Sequence, residues 1–281
     1  MSLKQQTIKN TIEFSGKGLF TGQMASVRLC PAAPGSGISF RRTDLPNAPL
    51  IPAHIDFVKS DVRCTRLEQG AASVQTVEHL LAAFKGLNID NVLVEISGPE
   101  VPIFDGSAKP FVEYFLKSGI EEQTEDRAEF SLKAPVSWSE GDVHLIAVPS
   151  DRFQVSYTLH YPTSPYLRTQ FYTFICEPEV FAKEIAPCRT FALYEEIAPL
   201  IAIGRLKDAG LENGVVIQGD RVLNPEGVRF PDEMVRHKIL DLIGDLSLVG
   251  KSIKAHIIAL RSGHRAHQAF AKQILSELNA T

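Results

Sequence analysis

The chain is short of the features that most quickly assign a protein to a class. Its 281 residues include only four cysteines, Cys30, Cys64, Cys176 and Cys188, and no two of them form a CxxC pair. That spacing excludes a zinc knuckle and a dithiol redox site, and reduced, mostly buried thiols are the expectation. No apolar run approaches the length that crosses a bilayer, and the opening Met1-Ser2-Leu3-Lys4-Gln5-Gln6 lacks the apolar core of a signal peptide, so a cytoplasmic location is expected. The formal net charge is -4, and no basic block stands against it, which argues against a general nucleic-acid binder. Low-complexity segments and internal repeats are absent too. What is left is a globular chain too long for one ordinary core, so two domains are expected.

The most informative stretch is Val235-Arg236-His237-Lys238-Ile239-Leu240-Asp241-Leu242-Ile243-Gly244-Asp245. It reads as a helix with His237, Asp241 and Asp245 in single file, each four residues from the next. Ile239, Leu240, Leu242 and Ile243 occupy most of the remaining surface, so the file sits where the helix is being buried. Two explanations stand at this point. The histidine and the carboxylate one turn away form a hydrogen-bonded pair that only orients a buried imidazole. Or they are metal ligands, in which case a catalytic site needs a third protein ligand from elsewhere.

Read in order, the N-terminal third alternates like a strand protein. Strands are expected over Gln6 to Phe14, Ala25 to Leu29, Gly37 to Arg41 and Ile55 to Val58, followed by the basic and polar stretch Arg63-Cys64-Thr65-Arg66. Apolar residues at helical spacing then predict a helix from Ser73, its N-cap, to Phe84. Within it Glu78 and His79 are neighbours, so they cannot share one face. Taken alone they read as an exposed, solvated pair, although they could flank a metal held partly by another helix. The charged segment Glu121 to Glu129 is the best linker and divides the chain into residues 1–124 and 125–281. The second half restarts with strands, then carries an irregular apolar insertion near 191–219. The turn Arg261-Ser262-Gly263-His264 leaves a strand before a closing helix that begins at about Ala266, and a side chain at such an exit is well placed for function.

Four pieces together resemble one family: Thr76-Val77-Glu78-His79, Pro187-Cys188-Arg189-Thr190-Phe191, the stretch Arg236 to Asp245, and Ser262-Gly263-His264. They look like the UDP-3-O-acyl-N-acetylglucosamine deacetylases, the zinc amidases that commit Gram-negative bacteria to lipid A. Gly16-Lys17-Gly18-Leu19-Phe20, Asn88-Ile89-Asp90-Asn91 and Ile103-Phe104-Asp105-Gly106-Ser107 are similar as well, so the resemblance covers nearly the whole chain.

The resemblance implies an α+β fold of two domains, each a sheet layer and a helix layer, with the helix layers facing each other across the site. It implies Zn2+ bound by His79, His237 and Asp241, Fe2+ being the possible alternative, and Glu78 as the general base. It gives Thr190 to the oxyanion and His264, held cationic by Asp245, to the leaving amine. Lys238 is expected to point away from the metal toward a nucleotide diphosphate, with Phe191 also contacting the substrate. The implied partner is a small molecule, a UDP-linked acylated amino sugar. The oligomeric state stays open, a monomer being compatible with everything above.

Such a substrate needs a place for its acyl chain, and Leu193, Ile197, Leu200, Ile201, Ile203 and Leu206 are the candidates. Two departures from the family pattern stand out: Phe20 replaces a usual histidine, and Arg265-Ala266-His267-Gln268 replaces a stretch that tends to carry asparagines. Two other readings are a non-catalytic nucleotide-sugar or lipid binder on the same fold, and a zinc amidase of a different N-acetyl sugar. A mere binder has no need of Glu78.

Overall fold

The computed structural model describes residues 3–61 and 63–280. The fold is α+β. In the N-terminal half a five-stranded sheet runs in the order Ile12–Lys17, Met24–Pro31, Val92–Ser97, Ile38–Arg42, Leu50–Pro52. Its strands alternate buried and open positions, as in Val92–Ser97, where Val92, Val94 and Ile96 face the core. In the C-terminal half a six-stranded sheet takes Val136–Glu140, Val143–Pro149, Ser252–Leu260, Gln154–Tyr161 and Arg168–Ile175, with Glu129–Ser131 parallel to Ser252–Leu260. Among the described residues three small sheets stand apart from these layers: Lys4–Ile8 with Ile120–Asp126; Val58–Ser60, Thr65–Gln69 and Ala72–Gln75; and Phe191–Leu193, Val215–Gln218 and Arg221–Val222.

The described residues also form six α-helices: α1 (Glu78–Gly86), α2 (Lys109–Ser118), the single turn α3 (Pro178–Val180), α4 (Tyr194–Ala202), α5 (Glu233–Ser247) and α6 (His264–Ala280). Helix α5 buries twelve of its fifteen residues and α1 eight of nine, so each is covered on every side rather than along one stripe. They pack on each other, α1 from the first half against α5 from the second.

The approach is close because Gly244 has no side chain, and a Cβ there would lie 2.1 Å from the Glu78 carbonyl oxygen. At an exposed helical site Gly→Ala would stabilise by about 1 kcal/mol. Here the sign reverses. Gly244→Ala should destabilise by about 1–3 kcal/mol or more, read by chemical denaturation, because two backbones must separate. A variant as stable as the parent would show that α1 and α5 have slack.

Several sequence expectations are corrected. The helix expected from Ser73 begins only at Glu78; Ala72–Gln75 is a strand in which Ala72 and Val74 are buried, paired with Thr65–Gln69, and Thr76 at φ 57° makes the break. Hairpin pairing with the strand just before it overrides the helical spacing there. Ile55–Phe57 is a 3-10 turn, its Asp56 N–H donating to His54 Nδ1 at 3.3 Å, and the strand starts at Val58. Gln6 to Phe14 divides into two strands, Lys4–Ile8 and Ile12–Lys17, that join different sheets. The charged stretch read as a linker is mostly a strand, Ile120–Asp126, paired antiparallel with Lys4–Ile8; Arg127 after it is buried and ion-paired with Asp90 at 2.6 Å.

Candidate active site

The file on α5 meets the first turn of α1. His237 Nε2 lies 3.3 Å from Asp241 Oδ1, and His79 Nε2 lies 3.6 Å from the same oxygen. The two imidazoles sit edge to face with centroids 5.0 Å apart, and all three side chains are buried. His79 is therefore the neighbour that the α5 file lacked, and the solvated Glu78-His79 pair suggested by the dipeptide alone is not what forms. Close α1–α5 packing takes both residues out of water, leaving Glu78 2% and His79 5% exposed.

The donor set fits a divalent transition metal. Two imidazoles and a carboxylate present one ligand atom each, all within 4.8 Å of one another. His237 Nδ1 donates to the Cys188 carbonyl at 3.0 Å, which fixes the ring and leaves Nε2 free toward the cluster. Lys238 Nζ donates to Asp241 Oδ2 at 2.7 Å, leaving Oδ1 toward the two histidines.

That contact corrects the expectation that Lys238 points away from the metal. Burial alone would raise the Asp241 pKa, but Lys238, His237 and His264 outweigh it and hold the carboxyl well below its ordinary value. Burial likewise opposes the charge on Lys238, and Asp241 overrides it, raising the ammonium. Two desolvated opposite charges one turn apart find each other.

Beside the cluster stand Glu78 and His264. Burial pushes the Glu78 carboxyl above its ordinary value, against the pull of His264 and His79. His264 begins α6, and its Nε2 is 3.8 Å from Glu78 Oε1 and 4.0 Å from Asp241 Oδ2. Its Nδ1 donates to Asp245 Oδ2 at 2.8 Å. Burial would lower the His264 pKa, yet Asp245, Asp241 and Glu78 together raise it to about 9. Asp245, buried but facing His264 and His267, is held down at about 2.

Thr190 and Phe191 line the same cleft, a cavity of about 1050 Å³. Thr190 is fixed by its own N–H to Gly106 O and by Val215 N–H to its carbonyl, each at 2.7 Å. Of the insertion residues expected along an acyl passage, Ile197, Ile201 and Leu206 line this cavity, whereas Leu193, Leu200 and Ile203 do not. Ile203 is 69% exposed.

Residues 5–276 match the profile of the UDP-3-O-acyl N-acetylglycosamine deacetylase family. A UDP-3-O-acyl-N-acetylglucosamine deacetylase of Chlamydia pneumoniae is 44% identical over 98% of both chains. Those of Chlamydia felis, 45% identical over 98% of both chains, and Geotalea uraniireducens, 42% identical over 97% of this chain and 88% of that relative, agree. The chain belongs to the UDP-3-O-acyl N-acetylglycosamine deacetylase family. That family is metal-dependent, and the His79, His237, Asp241 cluster could hold such an ion.

The departures from the family pattern can now be located. Phe20 lines the cleft, and its N–H donates to the buried Glu100 carboxylate at 3.0 Å, so the turn is anchored through backbone whatever side chain it carries. His267 is fully buried. Its Nδ1 donates to Asp245 Oδ2 at 2.8 Å while Nε2 is 2.9 Å from Ser262 Oγ. Burial lowers the His267 pKa despite Asp245.

Sequence reasoning named neither His267 nor Thr65 as a site residue. Spacing offered a signal for His267, because a helix starting at His264 puts residues three apart on one side. Thr65 carried none, since two of its partners, Asp245 and Gln268, are 180 and 203 residues away.

Proposed function

We propose that this chain hydrolyses the N-acetyl group of UDP-3-O-acyl-N-acetylglucosamine, releasing acetate in the committed step of lipid A biosynthesis. The ion would be Zn2+, held by His79, His237 and Asp241; the same two-histidine, one-carboxylate set also suits Fe2+. When bound, it supplies Lewis acidity that polarises a carbonyl and makes water a nucleophile near neutral pH.

The observation that carries the reading is the pair of oppositely disposed proton handlers beside the cluster. Glu78 is buried with Oε1 3.8 Å from His264 Nε2, and His264 is backed by Asp245. Amide hydrolysis needs this pairing. Glu78 takes a proton from the attacking water as the new C–O bond forms, and His264 Nε2 gives one to the amine as the C–N bond breaks. The Thr190 hydroxyl donates to the oxyanion that develops between those events. A binder of nucleotide sugars has no use for a carboxylate buried at this position.

Lys238 keeps Asp241 ionised and has two further ammonium protons to offer the substrate. Phe191, packed edge-on to Tyr161 at 6.2 Å, forms a cleft wall. On this reading the work is done in the cytoplasm, and the two halves of the chain are domains carrying opposite sides of the site, the first ending after the strand Ile120–Asp126.

Acetate release from the acylated UDP sugar, with elemental analysis of the purified protein, tests the activity and the metal together. No acetate from a metal-loaded preparation, or equal rates on N-acetyl sugars lacking the acyl chain, would overturn it; the second result favours an amidase of another sugar. The cavity walls give a further expectation. Each buried CH₂ contributes about 0.8 kcal/mol, so shortening the acyl chain by two carbons should lower kcat/KM roughly tenfold. Ile201→Trp should flatten or shift that ranking with metal content intact. An unchanged ranking in variants of Ile197, Ile201 and Leu206 would remove them from the acyl passage.

A further inference from the structure

We propose that Thr65 is a positioning residue that holds the base Glu78 and the acid's partner Asp245 in register across the two halves of the chain. The inference rests on the roles given to Glu78, His264 and Asp245 above. Thr65 opens the strand Thr65–Gln69 in the first half and is completely buried. It touches both proton handlers with different atoms. Its backbone N–H donates to Glu78 Oε2 at 3.0 Å, and its hydroxyl donates to Asp245 Oδ1 at 2.5 Å and lies 3.4 Å from His264 Nδ1.

A hydroxyl has one proton and two lone pairs. The proton goes to the Asp245 carboxylate, and a lone pair accepts from Gln268 Nε2 at 3.2 Å. Gln268, on α6 four residues after His264, fixes the hydroxyl from the side of the acid.

The consequence lies in how the oxygens are shared. Asp245 Oδ2 already accepts from both His264 Nδ1 and His267 Nδ1, each at 2.8 Å. Oδ1 has Thr65 alone among the described residues. Without the hydroxyl, Oδ1 is a buried acceptor with no partner, and the carboxylate is free to turn about its Cβ–Cγ bond. His264 follows that rotation, because Asp245 is what orients its ring. The backbone N–H meanwhile takes Glu78 Oε2 and leaves Oε1 the oxygen 3.8 Å from His264 Nε2. One residue thus sets both sides of the proton traffic without touching the reacting atoms.

Thr65→Val keeps the shape and the backbone N–H but removes the hydroxyl; Thr65→Ser keeps both polar groups. In the metal-loaded enzyme, Thr65→Val should lower kcat about 10- to 100-fold, the worth of a hydrogen bond to a charged group, with KM and metal content unchanged. Thr65→Ser should stay within about threefold. In an Asp245→Ala background, Thr65→Val should cost less than about threefold, since the carboxylate its hydroxyl bonds is gone and only the long 3.4 Å contact to His264 Nδ1 remains. If Thr65→Val does not fold, Thr65→Ala, which strands no methyl beside the carboxylate, carries the same expectation.

The inference falls if the hydroxyl-deleted variant turns over like the parent, if Thr65→Ser is as slow as Thr65→Val, or if the losses at Thr65 and Asp245 multiply. Slow Asp245→Ala with fast Thr65→Val sinks only the role of Thr65. Parent-like turnover in Asp245→Ala sinks the assigned roles of Asp245 and Thr65 together.

Discussion

Asp241→Ala is expected to purify with little or no bound metal and without measurable turnover. Two effects combine. The ion loses one of three protein ligands, and the remaining histidine pair is a weak site. The substitution also strands Lys238, whose ammonium lies 2.7 Å from Asp241 Oδ2 and is largely withdrawn from water. Removing one partner of a buried ion pair typically destabilises by about 3–5 kcal/mol, so the melting temperature should fall as well. His237→Ala and His79→Ala should lose metal without the second effect, because neither leaves an unpaired charge behind. Full stoichiometric metal in Asp241→Ala, by elemental analysis, would remove that residue from the ligand set. A melting temperature no lower than that of the two histidine variants would show that Lys238 finds another partner.

The contrast between Asp241 and Lys238 also marks where sequence reasoning stops. The four-residue spacing of His237, Asp241 and Asp245 is a property of one helix, and the structure keeps all three on one line because helical geometry is local. That His79 joins them depends on two helices from opposite halves of the chain packing backbone to backbone at Gly244, which no local pattern encodes. Lys238, next to His237, is expected from the family resemblance to point away from the metal. A flexible four-carbon stem instead curls one turn along α5 to a desolvated carboxylate.

The strands fared according to the same logic. Alternation in Val92–Ser97 and Met24–Pro31 is self-evident, since each has one buried face. Ala72–Gln75 misled because four residues followed directly by a helix share its apolar spacing, and only pairing with Thr65–Gln69 identifies them as a strand. The linker reading failed for a related reason. Ile120–Asp126 shows little apolar character because most of it is exposed, and its pairing partner lies at the other end of the first half.

Glu78→Gln is expected to separate chemistry from metal binding. The side chain is nearly isosteric, and its amide oxygen can still accept from Thr65 N–H at the position now 3.0 Å away. Metal content should therefore stay at the parent level, while turnover falls roughly 10²-fold or more, the loss expected when a general base is replaced by a group that cannot take a proton. The pH profile makes the assignment sharper. Burial raises the Glu78 carboxyl, so the acidic limb of the parent should sit above the ordinary carboxylate range, with the base ionised only on its alkaline side. The basic limb follows loss of the proton from His264, which Asp245, Asp241 and Glu78 raise, against burial, to about 9 in the absence of a cation; bound positive charge nearby moves that limb down. In Glu78→Gln one carboxylate facing His264 is neutral, so the basic limb should also shift to lower pH. These groups interact, so both limbs belong to the coupled set rather than to one residue each. Residual activity that keeps the parent's acidic limb, or turnover within a few-fold of the parent, would show that another group takes the proton.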